Sequence, residues 1–338
     1  MIVTSQFRPA FWLRGPHRQT LFAARCRPTP ALTIDHEIWH LPDGDFIDLA
    51  WLPDRSQPPD TPLVVVLHGL TGSIDSSYAR GLLRQVHARG WRGMLMHFRG
   101  AGPQPNRLPQ GYHSGNTADI GRLLVRLRER YPSAPLFAAG YSLGGNVLLK
   151  YLGEQGDAAP LSAAVAISVP FDLDRCATAI NRGLSRAYQA HLLTHMRAEI
   201  QRKADVVAQA LTLPDLASLR DFRAFDDAVT APLNGFAGAA DYYARCSSRP
   251  FLRHIRVPTL ILHAADDPFM HPDVVPRADE LAPCVRLELS AHGGHVGFVA
   301  GGRFGRPRYW LEERIPRYFD SARAGSHLRV ARHANAPA

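Results

Sequence analysis

A serine set among glycines, in the segment Gly140-Tyr141-Ser142-Leu143-Gly144, is the feature of this sequence most suggestive of chemistry. A strand-like run over 136–141 ends directly at Ser142, and an apolar, helix-like stretch begins at once over 143–154. A strand, a tight turn and a helix in this order form a nucleophile elbow, which exposes a serine hydroxyl at the edge of a sheet. We therefore predict that Ser142 is a nucleophile. The structural alternative is a glycine-rich turn whose serine only caps the helix.

The predicted nucleophile requires a general base, and the base requires a carboxylate that orients it. Where the serine lies on an elbow, the acid follows it in the chain and the histidine comes last. Asp266 and Asp267 follow a strand-like run at 259–263. Asp267 stands just before Pro268, whose fixed φ would stabilise the loop. We favour Asp267 as the acid and keep Asp266 as its rival.

The histidine of such a triad is expected after the last strand of the sheet. A strand-like run at 285–289 leads into a loop that contains His292 and His295. Two glycines precede His295 and would let the loop turn back towards the serine, so His295 is the predicted base and His292 the alternative. Because the carboxyl ends of parallel strands meet at one edge of a sheet, we expect Ser142, Asp267 and His295 to lie together.

Acyl transfer also needs two backbone N–H groups directed at the oxyanion. One is expected from Leu143, directly after the nucleophile. The other is expected from Leu70, in the loop that follows the continuous apolar run 63–67. Four further polar residues fall in loops at this predicted edge, where they would contact substrate or, in the favoured interpretation, support the loops: His68, Arg99, Tyr112 and His113.

Strand-like and helix-like runs alternate around these motifs. A turn signal at 42–45 predicts a hairpin, and the alternation then predicts strands at 63–67, 93–98, 136–141 and 163–169 with helices at 77–89, 117–130 and 143–154. This order is typical of an α/β fold with a mostly parallel central sheet and helices on both faces. Beyond residue 256, we expect strands at 259–263 and 285–289 and helices near 273–281 and 307–320.

The alternation is interrupted at residues 171–256, which are polar, irregular and helix-like, with a candidate helix at 174–210 that is expected to be broken and another at 237–247. We therefore predict a helical cap inserted into the core. The expected organisation is an N-terminal arm at 1–30, a first core part at 31–170, the cap at 171–256, a second core part at 257–320 and a disordered tail at 321–338.

Composition narrows the classes of function. The 338 residues are 46% hydrophobic and 20% charged, as in globular proteins. Neither a membrane-spanning run nor a signal peptide is evident, and the four scattered cysteines favour no disulfide framework or metal site, so a reducing cytoplasm is expected. The net charge of +9 arises mostly in the acid-free segments 1–30 and 321–338. Without a nucleic-acid-binding motif, we expect no nucleic-acid partner. We also expect no cofactor, no metal and no obligate protein partner.

The N-terminal arm interleaves apolar side chains with arginines over residues 7–22. This pattern is typical of peripheral contact with a membrane interface. It is equally typical of an arm that packs on the cap with its arginines in solvent, which is the favoured interpretation. Pro9 and Gly15-Pro16 interrupt any long amphipathic helix and so weaken the membrane interpretation.

Beyond the serine motif, the sequence resembles the YheT-like branch of the α/β-hydrolase superfamily, which includes animal abhydrolase-domain proteins. The resemblance covers about residues 7–320, and its motifs lie at 15–20, 97–100, 112–115, 140–146, 266–269 and 293–298. It implies a triad at Ser142, Asp267 and His295 and the hydrolysis of carboxylic esters. Some relatives act on phospholipids or other lipids. Gly15 stands where asparagine is common, which leaves the triad untouched.

The predicted function is a serine hydrolase that cleaves carboxylic esters through an acyl-enzyme intermediate, with lipid or medium- and long-chain acyl esters as candidate substrates. Thioester, amide or carbon–carbon bond hydrolysis would use the same residues and remains the alternative. A non-catalytic binding protein on this fold is the rival from another class. Aspartate-nucleophile chemistry, as in dehalogenases and epoxide hydrolases, is disfavoured by Ser142.

Overall fold

A nine-stranded, mostly parallel sheet lies at the centre of the computed structural model, which describes residues 1–53, 57–302 and 306–334. Its strands are β1 (Ile2–Thr4), β2 (Asp35–His40), β3 (Phe46–Trp51), β4 (Leu63–Leu67), β5 (Arg92–His97), β6 (Leu136–Tyr141), β7 (Ala163–Ile167), β8 (Thr259–Ala264) and β9 (Val285–Ser290). In space they follow the order β1-β9-β8-β7-β6-β4-β5-β3-β2. The pairs β2–β3 and β3–β5 are antiparallel, and the other pairs are parallel.

Four core helices cover the two faces of the sheet: α2 (Ser77–Ala88), α3 (Thr117–Arg130), α4 (Leu143–Gln155) and α11 (Trp310–Ala334). Every residue of β4 is buried, and successive side chains point to opposite faces. Val64 and Val66 pack in an apolar cluster with α2 and α11, whereas Val65 packs in another with α3 and α4. This two-sided burial explains the continuous apolar run in the sequence and confirms the predicted fold class.

Residues 171–256 contain only helices, turns and loops. The helices are α5 (Leu173–Ile180), α6 (Ser185–Gln201), α7 (Ala204–Ala208), α8 (Phe222–Phe225), α9 (Ala231–Leu233) and α10 (Ala239–Cys246), with a π-helical turn at Asp226–Thr230. Asn146 of α4 fastens this cap to the core. Its side-chain amide donates to the carbonyl oxygens of Ser114 and Cys246, both at 2.8 Å, and accepts from the N–H of Ser248 at 3.0 Å.

The N-terminal residues form an edge strand of the central sheet and a helix. β1 pairs in parallel with β9, and α1 (Pro16–Arg25) packs beside the chain that follows β9. The buried Gln19 fixes this helix. Its Nε2 donates to the carbonyl oxygens of Leu13 (3.0 Å) and Val299 (3.1 Å), and its Oε1 accepts from the N–H of Val299 (2.7 Å). Val299 belongs to a short antiparallel pair, β10 (Val299–Ala300) with β11 (Arg308–Tyr309).

Two expected helices differ from the structure. The helix predicted near 273–281 is wrong: Pro272–Val274 and Ala278–Glu280 are short 3₁₀ turns. Pro276 between them lacks an N–H and disfavours helical geometry at the preceding residue. The closing helix, expected at 307–320, is α11 and extends to Ala334 through much of the segment for which a disordered tail was expected. Its alanines and arginines favour helix, and residues 335–338 lie outside the described part.

Among the described residues, no helix combines the length and the apolar character that crossing a bilayer would require. The longest helix, α11, carries charged residues from its first turn onward, including Glu312 and Glu313.

The buried Glu312 of α11 pairs with the buried Arg27, which follows α1. This ion pair joins the N-terminal segment to the last helix of the core.

We expect Gln19→Leu to lower the free energy of unfolding by about 2–4 kcal/mol, because each buried polar group left unpaired costs roughly 1–3 kcal/mol. Two such groups, the carbonyl of Leu13 and the N–H of Val299, lose the side-chain amide of Gln19 as their hydrogen-bond partner. Urea denaturation measures the change. The matched control is Gln201→Leu on the exposed end of α6, for which a change below about 0.5 kcal/mol is expected. Equal effects of the two substitutions would contradict this role of Gln19.

Candidate active site

The turn between β6 and α4 presents Ser142 at the carboxyl edge of the sheet. Ser142 has φ 51° and ψ −117°, a conformation that is costly for a residue with a side chain. Its N–H donates to the carbonyl oxygen of Ile167 at 2.8 Å. A Cβ atom at Gly140 would lie 2.4 Å from the carbonyl oxygen of Gly144, and one at Gly144 would lie 2.5 Å from that of His68. Both glycines are therefore required for this close approach.

The predicted serine, histidine and aspartate lie in one hydrogen-bonded row. Nε2 of His295 is 3.0 Å from Oγ of Ser142, and Nδ1 of His295 is 2.8 Å from Oδ2 of Asp267. Because an ionised carboxylate can only accept, Nδ1 carries the proton and Nε2 is free to accept from the serine hydroxyl. The other oxygen of Asp267 accepts from the N–H of Phe269 at 2.9 Å, which fixes the carboxylate plane.

The two rival residues form a separate pair at the surface. Oδ2 of Asp266 is 3.2 Å from Nδ1 of His292, and Oδ1 of Asp266 accepts from the N–H of Gly294 at 3.0 Å. The His292 side chain is 57% exposed, against 10% for His295. Asp266 therefore ties the histidine loop to the aspartate loop without contacting the serine.

The loop after β4 leaves one N–H group free between two that are bound. The N–H of Gly69 donates to the hydroxyl of Tyr78 and that of Thr71 donates to the hydroxyl of Tyr112, each at 2.9 Å. Within the described chain, the N–H of Leu70 between them has no partner. The N–H of Leu143, at the start of α4, has no partner inside its helix either. These are the two donors predicted for the oxyanion.

His68 supports this loop from beneath. Its Nδ1 donates to the carbonyl oxygen of Gly69 at 2.7 Å, and its Nε2 accepts from the N–H of Phe98 at 3.1 Å. Burial, together with the nearby ring of His97, lowers the pKa of His68 to about 3. The ring is therefore neutral, and this one tautomer satisfies both contacts.

Arg99 and His113 lie at the same edge of the sheet in different surroundings. Arg99 is buried against Asp119, with Nε–Oδ2 at 2.6 Å and Nη2–Oδ1 at 2.8 Å, and it also reaches Asp43 at 2.7 Å. It supports the loop after β5 and does not line the cavity that opens above Ser142, between the core and the cap. His113 does line that cavity, and its Nδ1 accepts from the N–H of Gly115 at 3.2 Å. Burial lowers the pKa of His113 to about 4.

Several residues that position His295 were not identified from the sequence. Oγ1 of Thr20 accepts from the N–H of His295 at 2.9 Å, and Oγ of Ser168 accepts from the N–H of Val296 at 3.0 Å. The ring of Phe269 stacks on that of His295 with centroids 3.9 Å apart and planes 5° apart. The signals in the sequence were the motifs at 15–20 and 266–269, which contain Thr20 and Phe269 and matched the family without suggesting a role for either residue.

A cavity of about 670 Å³ opens above Ser142 and His295, between the core and the cap. Most of its wall is apolar, and the cap contributes side chains such as Leu173, Ile180 and Met196 to it. A polar spot interrupts this wall. There the buried Asp226 accepts from the hydroxyls of Thr230 and Tyr243, each at 2.7 Å, and burial raises the pKa of Asp226 to about 6.

The sequence matches the family described as "alpha/beta hydrolase fold" over residues 62–301. It is 44% identical over 317 residues to YheT of Escherichia coli (strain K12), whose name describes an esterase; the match covers 93% of this chain and 92% of YheT. It is 29% identical to phospholipase ABHD3 of Mus musculus, over 89% of this chain and 75% of that protein. The solved esterase PF2001 of Pyrococcus furiosus has TM-score 0.55 and 16% identity, covering 86% of this chain and 91% of its own.

These likenesses agree with the geometry described above. The family match spans β4 to the loop after β9, which includes the elbow and both loops that face it. The Pyrococcus structure shows the same fold, and the sequence relatives carry the names of ester-cleaving enzymes. The chain therefore belongs to the α/β-hydrolase family, in its YheT-like branch, and is a carboxylic ester hydrolase.

Proposed function

We propose that the protein cleaves its ester through a covalent acyl-enzyme formed on Ser142. The observation that carries this proposal is the unbroken row of hydrogen bonds from Ser142 through His295 to Asp267, at 3.0 and 2.8 Å. The row stands beside a free N–H on Leu70 and a free helix N-terminus at Leu143. A nucleophile, a base, its orienting acid and two oxyanion donors are together the full requirement for acyl transfer.

In the first half-reaction, the Oγ of Ser142 attacks the acyl carbonyl while Nε2 of His295 takes its proton. The N–H groups of Leu70 and Leu143 donate to the oxyanion that develops. His295 then returns the proton to the leaving alkoxide. In the second half-reaction, water attacks the acyl-enzyme and gives a proton to Nε2 of His295. The proton then passes to Oγ of Ser142 as the carboxylic acid leaves, and Asp267 keeps the proton of Nδ1 in place throughout.

The substrate that the cavity favours is an ester with a medium or long acyl chain, such as a lipid ester. A volume of about 670 Å³ with a mostly apolar wall accommodates a flexible hydrocarbon chain. The mouse relative, whose name is that of a phospholipase, supports the same class of substrate.

The stacked ring of Phe269 lies on one face of the His295 imidazole and keeps that ring in the plane that reaches the serine.

Ser142→Ala removes one oxygen at the elbow and should reduce turnover of a p-nitrophenyl ester by about 10⁶-fold while leaving the thermal unfolding temperature unchanged. The wild-type enzyme should bind a fluorophosphonate probe covalently, and the variant should not. Labelling of the variant, or turnover within tenfold of wild type, would exclude Ser142 as the nucleophile. Turnover of acyl thioesters but not oxygen esters would assign the same residues to thioester hydrolysis.

The two aspartates and two histidines provide matched pairs. Asp267→Asn should lower kcat by about 10⁴-fold, because the amide selects the wrong imidazole tautomer. Asp266→Asn, in the surface pair, should change kcat little. His295→Ala should be as severe as the serine variant, whereas His292→Ala should be mild. Steady-state kinetics on all four variants test the assignment, and a reversed order within either pair would refute it.

The apolar cavity predicts a preference for longer acyl chains. From p-nitrophenyl acetate towards the octanoate, kcat/KM should rise by roughly fourfold for each methylene that the cavity buries. Leu192→Trp, on the cavity wall, should shorten the preferred chain. Leu216→Trp, a half-buried cap leucine outside the wall, is the control and should not. A profile that declines beyond the acetate in the wild-type enzyme would contradict this substrate class.

A further inference from the structure

Two exposed leucines border the opening of the active-site cavity. Leu21 of α1 and Leu184, directly before α6, both line the cavity, yet they are 48% and 72% exposed. A side chain that lines a cavity and also faces solvent lies at its opening. Exposed apolar surface at an opening is typical of a site that meets another apolar phase.

Arginines surround the two leucines. Arg18 and Arg25 lie on α1, and Arg182 and Arg186 lie just before and on α6. All four are exposed, and none forms an ion pair with another residue in the described part of the chain. Their charges are therefore available to a partner.

Acids are missing from the same region. Residues 1–34 contain five arginines and residues 175–198 contain four, and neither segment has an Asp or Glu. Two of these nine arginines pair with acids elsewhere, Arg27 with Glu312 and Arg175 with Asp172 and Asp273. Among the described residues that line the cavity, the single acid is Asp226, which is buried and bonded to two hydroxyls. The opening therefore carries a positive potential that attracts an anionic surface.

The two helices form one continuous surface. Nδ1 of His17 on α1 is 3.0 Å from the hydroxyl of Tyr188 on α6, and the two rings stack with centroids 5.7 Å apart. We define the entrance surface as six exposed residues on α1 and on the segment 182–186 that leads into α6: Arg18, Leu21, Arg25, Arg182, Leu184 and Arg186.

Most apolar residues of the N-terminal segment are committed to packing. Phe7 and Leu13 are buried, and the rings of Trp12 and Phe22 pack against each other with centroids 5.2 Å apart. A membrane contact through the whole of residues 7–22, one of the two interpretations of the sequence, therefore lacks most of the apolar side chains it would need. Phe11 and Leu21 remain exposed, but only Leu21 lines the cavity, and Leu184 directly before α6 supplies the second apolar side chain at its opening.

We propose that the entrance surface docks on an anionic lipid bilayer. Leu21 and Leu184 enter the acyl region, and the four arginines lie among the headgroup phosphates, where each contributes roughly fivefold to affinity. This inference rests on the proposed function for the class of substrate, since an ester lipid could then enter the cavity directly from the bilayer. Leucines at the centre of the patch favour a lipid over a nucleic acid, which would require aromatic side chains or base-reading groups.

Co-sedimentation with vesicles of phosphatidylglycerol and phosphatidylcholine tests the proposal. The full chain should bind these vesicles at low salt, bind pure phosphatidylcholine weakly, and lose binding as salt screens the arginines. Leu21→Asp should weaken binding by roughly tenfold or more. The matched control is Val125→Asp on α3, which introduces the same charge at a site 49% exposed and should bind better than Leu21→Asp.

The contribution of the arginine charges to binding is tested by the same co-sedimentation assay. Arg186→Glu should weaken binding by roughly 25-fold, because one attraction is lost and one repulsion is added. Arg253→Glu, at an exposed arginine outside the entrance surface, should have a smaller effect. Thermal unfolding verifies that each variant is folded.

Four outcomes overturn the proposal: no binding of the full chain to anionic vesicles, equal losses in the variants and their controls, binding that salt does not alter, or binding to a DNA oligonucleotide but not to vesicles. Because Ser142→Ala should still sediment with vesicles, docking is measured independently of catalysis. A failure of fluorophosphonate labelling would therefore refute the proposed function and leave the entrance surface intact, and the reverse also holds.

Discussion

The close approach of the backbone at residues 140–144 is the constraint on which the site depends. A Cβ on Gly140 or Gly144 would lie within 2.5 Å of a carbonyl oxygen, so the turn exists only with glycine at both positions. The turn holds Ser142 in a strained conformation and brings α4 against the end of β4. The two N–H donors and the serine hydroxyl then face the same space. The histidine and aspartate loops need only reach that point from neighbouring strands.

Local patterns explain why much of the fold was predictable. A buried strand such as β4 needs apolar side chains on both faces, and an elbow needs small residues at fixed positions, so both leave a signature within a few residues. The alternation of strands and helices follows from the same local rules. Proline placement explains the failure near 273–281, where the alternation of strands and helices suggested a helix that Pro276 disfavours.

Contacts between distant residues explain what could not be predicted. The parallel pairing of β1 with β9 joins Ile2 to Leu287, and the contact of Thr20 with His295 spans nearly the whole chain. Neither pairing can be identified from the local sequence at either end. The choice between the two carboxylates depends on burial as well, because the Asp267 side chain is 1% exposed and that of Asp266 is 17% exposed. Burial is a property of the folded surroundings, which spacing alone does not give.

The contact between Thr20 and His295 has a consequence for biosynthesis. A ribosome makes α1 early, but the loop that it supports emerges some 275 residues later. Until then β1 has no strand beside it, and the buried face of α1 has no loop to cover. Such non-local contacts form slowly because a long loop must close first. His295 would therefore acquire its position among the last events of folding, and the onset of hydrolytic activity would report that the N-terminal segment has packed against the histidine loop.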